Sequence, residues 1–120
     1  MALKIILILI SFIRPVPLST IEQVKKVEME VTAYCGCEKC CGSHADGITA
    51  SGYKLQDGDK VIAAPKNFAF GTKICVPGYG LASVEDRGGA ITGNRIDVYF
   101  HTHKEALKWG RRNLIVIVHK

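Results

Sequence analysis

Apolar and polar positions alternate in short stretches along most of this chain. Val27, Met29 and Val31 alternate with Glu28, Glu30 and Thr32, the period of two expected of a strand with one face in a core. Val61 to Ala64 is a short apolar run stopped by Pro65, which predicts a buried strand. Thr72 to Val76 reads as another, closed by Pro77-Gly78. Leu81, Ser83 and Glu85 alternate with Ala82, Val84 and Asp86 until Gly88-Gly89 breaks the pattern. In Arg95 to Phe100, the residues Ile96, Val98 and Phe100 share one face, and Asp97 and Tyr99 the other. Leu114 to Val118 is a last, strongly β-branched strand. Helical signals gather after Phe100. Thr102 and Glu105 fit a capping box, and the helix they open runs to about Trp109, where Gly110 can end it. Short strands, tight turns and one short helix predict an all-β fold closed into a barrel or sandwich. A closed barrel also leaves no exposed strand edge.

Two regions fall outside this rhythm. Lys4 precedes the apolar run Ile5 to Ile13, and Arg14-Pro15 follows. The run is too short for a bilayer, which takes about 20 residues, and its flanks read as a signal peptide. A short membrane anchor or a buried first strand are the alternatives. Residues 1–20 are therefore set apart from a working domain over 21–120, with a secreted or cell-envelope location expected. Residues 34–52 are an irregular loop holding four of the five cysteines.

The length of 120 residues suits one domain, and a hydrophobic fraction of 48% excludes a disordered chain. The net charge of +5 is scattered rather than gathered into a basic arm. That argues against a nucleic-acid partner and is compatible with an anionic polymer. A monomer is expected.

Two carboxylates stand out. Asp97 lies between Ile96 and Val98 on a strand, where acidic residues are depleted. Asp86 ends another strand. Glycoside cleavage needs a carboxylic acid that protonates the leaving oxygen, often with its pKa raised by an apolar setting, and Asp97 fits that need. A solvated Asp97 paired with Arg95 or Arg87 is the plainer alternative. Thr32, Tyr34, Thr49 and Thr72 are candidate hydrogen-bond partners for sugar hydroxyls, although strand threonines need no such role. Trp109 can stack on a sugar or belong to a core. The cysteines Cys35, Cys37, Cys40, Cys41 and Cys75 allow three states: disulfides, a structural zinc site assisted by His44, or free thiols. Five is an odd number, so disulfides within one chain leave one thiol over. His101, His103 and His119 read as solvated polar residues. No cofactor is required.

The stretches Gly71 to Gly80, Val84 to Phe100 and Glu105 to Arg112, with Val31 to Tyr34 and Gly47 to Gly52 upstream, resemble the three-aspartate (3D) domain family. That family is related to the catalytic domain of MltA-type lytic transglycosylases. The resemblance covers about residues 29 to 118. It implies a six-stranded double-psi β-barrel and cleavage of the MurNAc–GlcNAc β-1,4 bond of peptidoglycan without water, leaving a 1,6-anhydro end. It further implies that Asp97 is the catalytic acid and that Asp86 lines the same cleft. One departure is plain. The family usually carries a third aspartate before the proline that follows the strand at Val61, and this chain has Ala64 there. Asp46, Asp57 or Asp59 are the acids available to stand in. A peptidoglycan-binding module without catalysis, built on the same barrel, is the alternative function.

Overall fold

The structure, a computed structural model, describes residues 23–37 and 46–120. The expected leader over 1–20, and the candidate ligands Cys40, Cys41 and His44, lie outside the described residues. Six strands and one helix follow in order: β1 (Val24–Tyr34), β2 (Val61–Ala63), β3 (Lys73–Val76), β4 (Gly80–Asp86), β5 (Arg95–Tyr99), α1 (His103–Trp109) and β6 (Arg112–His119).

The strands close into a barrel in the order β1-β5-β2-β4-β3-β6. Strands β1 and β5 pair in parallel, as do β2 and β4, and the other neighbours are antiparallel. Strand β5 therefore lies between β1 and β2, and β2 between β4 and β5. These two interlocked crossings give the barrel its double-psi character. Strand β1 starts earlier than its alternation suggests. Val24, Lys25 and Lys26 are exposed, yet they pair with His119, Val118 and Ile117 of β6, so the ladder rather than burial makes them a strand.

Alternation sorts the side chains between barrel interior and outer face. Met29, Val31, Ile62, Ile74, Val84, Ile96, Val98 and Val116 fill the interior and are almost wholly inaccessible. Each such burial contributes roughly 1.5–3 kcal/mol. Trp109 belongs to this core. Its indole N–H donates to the Val31 carbonyl at 3.2 Å, its ring meets Tyr79 edge-on, and the Arg112 guanidinium covers the ring at 3.9 Å. It is therefore a packing residue, unavailable to stack on a sugar. Thr102 caps α1 as its pattern predicts, accepting from the Glu105 N–H at 3.2 Å. Among the described residues no helix is long and apolar enough to cross a membrane.

A second, smaller cluster sits on the outer face. Tyr34, Val61, Ala63, Ile91 and Tyr99 pack together there with Leu55. The segment from Asp46 to Lys60 folds over this face and is tied down by its own turns. Asp59 accepts from the Tyr53 hydroxyl at 3.0 Å and from the Gln56 N–H at 2.7 Å.

Candidate functional site

The outer face of β1, β5, β2 and β4 is where the two singled-out aspartates meet. Residues 32, 97 and 63 are partners across the sheet: Thr32 pairs with Asp97 through β1 and β5, and Ala63 pairs with Asp97 through β5 and β2. Ala63 then pairs with Asp86 across β2 and β4. The small Ala63 side chain thus separates the two acids in the sheet.

A bulge makes this possible. Ile62 pairs with Val84, but Ala63 pairs with Asp86, so Glu85 is skipped. Counting by twos from the interior residue Val84 would turn Asp86 into the core. The extra residue resets the count, a common use of bulges beside functional sites, and brings Asp86 to the same cleft as Asp97.

That cleft measures about 520 Å³ and is lined by Asp86, Asp97, Tyr34, Ala63, Ile91 and backbone-rich segments at Gly36, Asp46–Ala50 and Arg87–Gly89. It lies within the roughly 300–1,000 Å³ of small-molecule sites. Gly36, Gly47, Gly88 and Gly89 leave parts of its lining without side chains. Gly88 is there for space: a Cβ on it would come 3.0 Å from the Ile91 side chain. Gly93, at the turn into β5, has a φ of 63°, a value that favours glycine.

Asp97 is partly buried, and Oδ1 accepts from the Thr32 hydroxyl at 3.1 Å. Burial lifts its pKa from 3.8 to about 6. The Thr32 hydroxyl and the Arg95 guanidinium pull the other way, and the Asp86 carboxyl adds a smaller upward push. Desolvation therefore wins, as it does for carboxyls in apolar pockets. Arg95 is itself shared, with Glu30 3.6 Å from its Nε.

Asp86 is held by three donors. Oδ2 accepts from the Tyr34 hydroxyl at 2.9 Å, and Oδ1 accepts from the N–H groups of Ala50 and Arg87, each at 2.9 Å. Burial, and then Asp86, hold the Tyr34 phenol well above its ordinary value, so Tyr34 is a fixed donor. Arg87 anchors the bulge from behind. Its guanidinium donates to the carbonyls of Phe68 at 2.6 Å and Ala64 at 3.3 Å and lies over the Phe70 ring.

The four predicted sugar contacts separate in the structure. Tyr34 and Thr49 line the cleft, but the Thr49 hydroxyl already bonds Ser51 at 3.0 Å and accepts from the Tyr53 N–H. Thr32 sits behind Asp97, buried, with its hydroxyl committed to that carboxyl. Thr72 does not line the cleft. Its hydroxyl closes a turn by donating to the Ala69 carbonyl at 2.7 Å. Among the acids available to replace the missing one, Asp46 lines the cleft, whereas Asp59 is spent on its own turn. Ala64, at the position where the acid is expected, is wholly buried in the barrel interior.

The cysteines divide as well. Cys75 lies on β3 opposite Leu81 and Ile117 and forms no disulfide. Cys35 and Cys37 lie together, and His103 joins them. His103 is therefore not a simple solvated histidine. Periodicity did not single out Ala50 and Arg87 as site residues either, although they fall inside the G-I-T-A-S-G and E-D-R-G-G stretches of the resemblance.

The 3D domain profile matches residues 60–120, just over half of the chain. The chain belongs to the 3D domain family. It is 38% identical over 92 residues to YabE of Bacillus subtilis (strain 168), a protein named for cell wall shaping; the match covers 75% of this chain and 22% of that one. It is 37% identical over 100 residues to the cell wall-binding protein YocH of the same organism, covering 81% of this chain and 33% of that one. The chain thus spans a third or less of the relatives it matches. Among solved structures, MltA from E. coli aligns with a TM-score of 0.49 at 24% identity, over 61% of this chain and 27% of that one.

Proposed function

We propose that this 3D domain acts at the bacterial cell envelope on peptidoglycan, and that its cleft cleaves the MurNAc–GlcNAc β-1,4 bond with Asp97 as general acid. The observation that carries the reading is the Asp97 carboxyl, half-buried in a sugar-sized cleft that Asp86 also lines, where burial raises its pKa to about 6. The names of the relatives, cell wall shaping and cell wall binding, support the choice of polymer.

The chemistry follows from one carboxyl used twice. Protonated Asp97 gives its proton to the glycosidic oxygen as the C1–O bond breaks and the sugar gains oxocarbenium character. The C6 hydroxyl of the same sugar then bonds to C1, and ionised Asp97 takes the hydroxyl proton. The acid is regenerated, no water is consumed, and the products are a 1,6-anhydro end and a free hydroxyl on the leaving sugar. Thr32 positions Asp97 from behind. Asp86, itself fixed by Tyr34, Ala50 and Arg87, faces the developing positive charge.

A second reading, glycan binding without cleavage, is favoured by Ala64 at the position of the third aspartate. One experiment separates them. Wild type and Asp97→Asn are incubated with purified peptidoglycan sacculi, and both pelleted protein and released muropeptides are measured. Catalysis predicts pelleting by both and release by wild type alone. Pelleting by both with release by neither leaves the binding module and removes the enzyme.

A further inference from the structure

The parallel pairing of β1 and β5 has an effect beyond the cleft. Tyr34 pairs with Tyr99, and the Phe100 N–H donates to the Tyr34 carbonyl at 2.8 Å. Both strands therefore leave the barrel at the same end. The chain after β1 runs directly into Cys35-Gly36-Cys37, and the chain after β5 turns through His101 and Thr102 into His103, the first residue of α1. Residues more than sixty positions apart are brought together by strand register alone.

The Nδ1 of His103 lies 3.6 Å from the Cys35 sulfur and 3.5 Å from the Cys37 sulfur, and the two sulfurs are 2.9 Å apart. Zinc binds thiolate at about 2.3 Å and imidazole at about 2.0–2.1 Å in tetrahedral geometry, which makes a sulfur–nitrogen edge about 3.6 Å long. Both such edges are already present. The sulfur–sulfur edge would have to open by about 0.9 Å, to about 3.8 Å. Two thiolates and an imidazole form a soft donor set that suits zinc and not calcium or magnesium.

The geometry points to a structural zinc site in which Cys35, Cys37 and His103 are three of the ligands. Gly36, between the two cysteines, lines the cleft next to Tyr34. A metal here would pin the exit of β1 to the start of α1 and so hold one wall of the cleft. The site stands whether or not the cleft is catalytic, because its readout is metal content and not product.

Cys35 is buried, so a variant there would disturb packing. The partly exposed Cys37 and His103 carry the test. Wild type, Cys37→Ser, His103→Ala and the control Cys75→Ser are purified under reducing conditions with zinc present, and folding is checked by circular dichroism. Metal is measured by elemental analysis after dialysis against a weak chelator. Cobalt is then offered to the metal-free proteins, and the thiolate-to-cobalt absorption is recorded. The expected result is about one zinc per chain in wild type and Cys75→Ser. Cys37→Ser and His103→Ala should lose affinity by more than the roughly 10–100-fold that removal of an outer-shell partner causes. A strong chelator should lower the melting temperature of wild type and leave that of His103→Ala unchanged. The proposal is overturned if wild type takes up neither zinc nor cobalt. A Cys35–Cys37 disulfide that survives the reducing purification, or full zinc retention by His103→Ala, overturns it equally.

Discussion

Replacing Asp97 with asparagine should change how stability depends on pH, and the sign can be worked out. Asparagine has the shape of the protonated acid and cannot ionise. In wild type, burial raises the Asp97 pKa from 3.8 to about 6. Between those values the folded state holds a proton that the unfolded chain has released. Wild-type stability from this group is therefore complete below about pH 4 and is lost as pH rises through about 6. At about 1.4 kcal/mol per pH unit, the full loss is on the order of 3 kcal/mol. The other carboxyls titrate in both proteins and largely cancel in the difference. The assay is urea unfolding of wild type and Asp97→Asn at steps from about pH 3.5 to 7.5, reporting the difference in unfolding free energy at each step. The variant should gain on wild type as pH rises, by about 2–3 kcal/mol over the range, with the steepest change between the two pKa values. A difference that stays flat would mean that Asp97 is solvated and cannot serve as an acid near neutral pH. A difference that moves the other way would mean that Arg95 and Thr32 outweigh burial.

Other expectations follow from the same geometry. Thr32→Val removes the hydrogen bond that holds the Asp97 pKa down, so the alkaline limb of a pH–activity profile should move to higher pH, and an unmoved limb counts against a positioning role for Thr32. Tyr34→Phe strips one of the three donors from Asp86; muropeptide release should fall while circular dichroism stays native, and unchanged release would detach Asp86 from the reaction. Trp109→Ala removes a buried ring and its bond to Val31; a loss of about 3–5 kcal/mol is expected in urea unfolding, with glycan pelleting unchanged under conditions where the variant is folded.

The strands were legible because alternation is a direct image of a half-buried sheet. Ile96 and Val98 are fully buried, as their spacing predicts, and the capping box at Thr102 starts α1 where expected. What escaped reading depends on contacts between distant segments. Asp86 reaches the cleft through a one-residue bulge opposite Ala63, and strict alternation predicts the opposite face for it. His103 reads as a solvated polar residue until the parallel register of β1 and β5 sets it beside Cys35 and Cys37. The threonines illustrate a third limit. Thr32 and Thr72 carry hydroxyls suited to sugars, yet local geometry gives one to Asp97 and the other to a turn. Residue type advertises hydrogen-bonding capacity but not whether it is already used.

The most direct test of the central claim is the chemical identity of the glycan ends released in heavy-oxygen water near pH 5.5, read by mass spectrometry. Transfer by Asp97 through the sugar's own C6 hydroxyl predicts anhydro ends, lighter than reducing ends by one water and free of heavy oxygen, and none from Asp97→Asn. Reducing ends carrying heavy oxygen would contradict the proposed step by showing that water is the nucleophile.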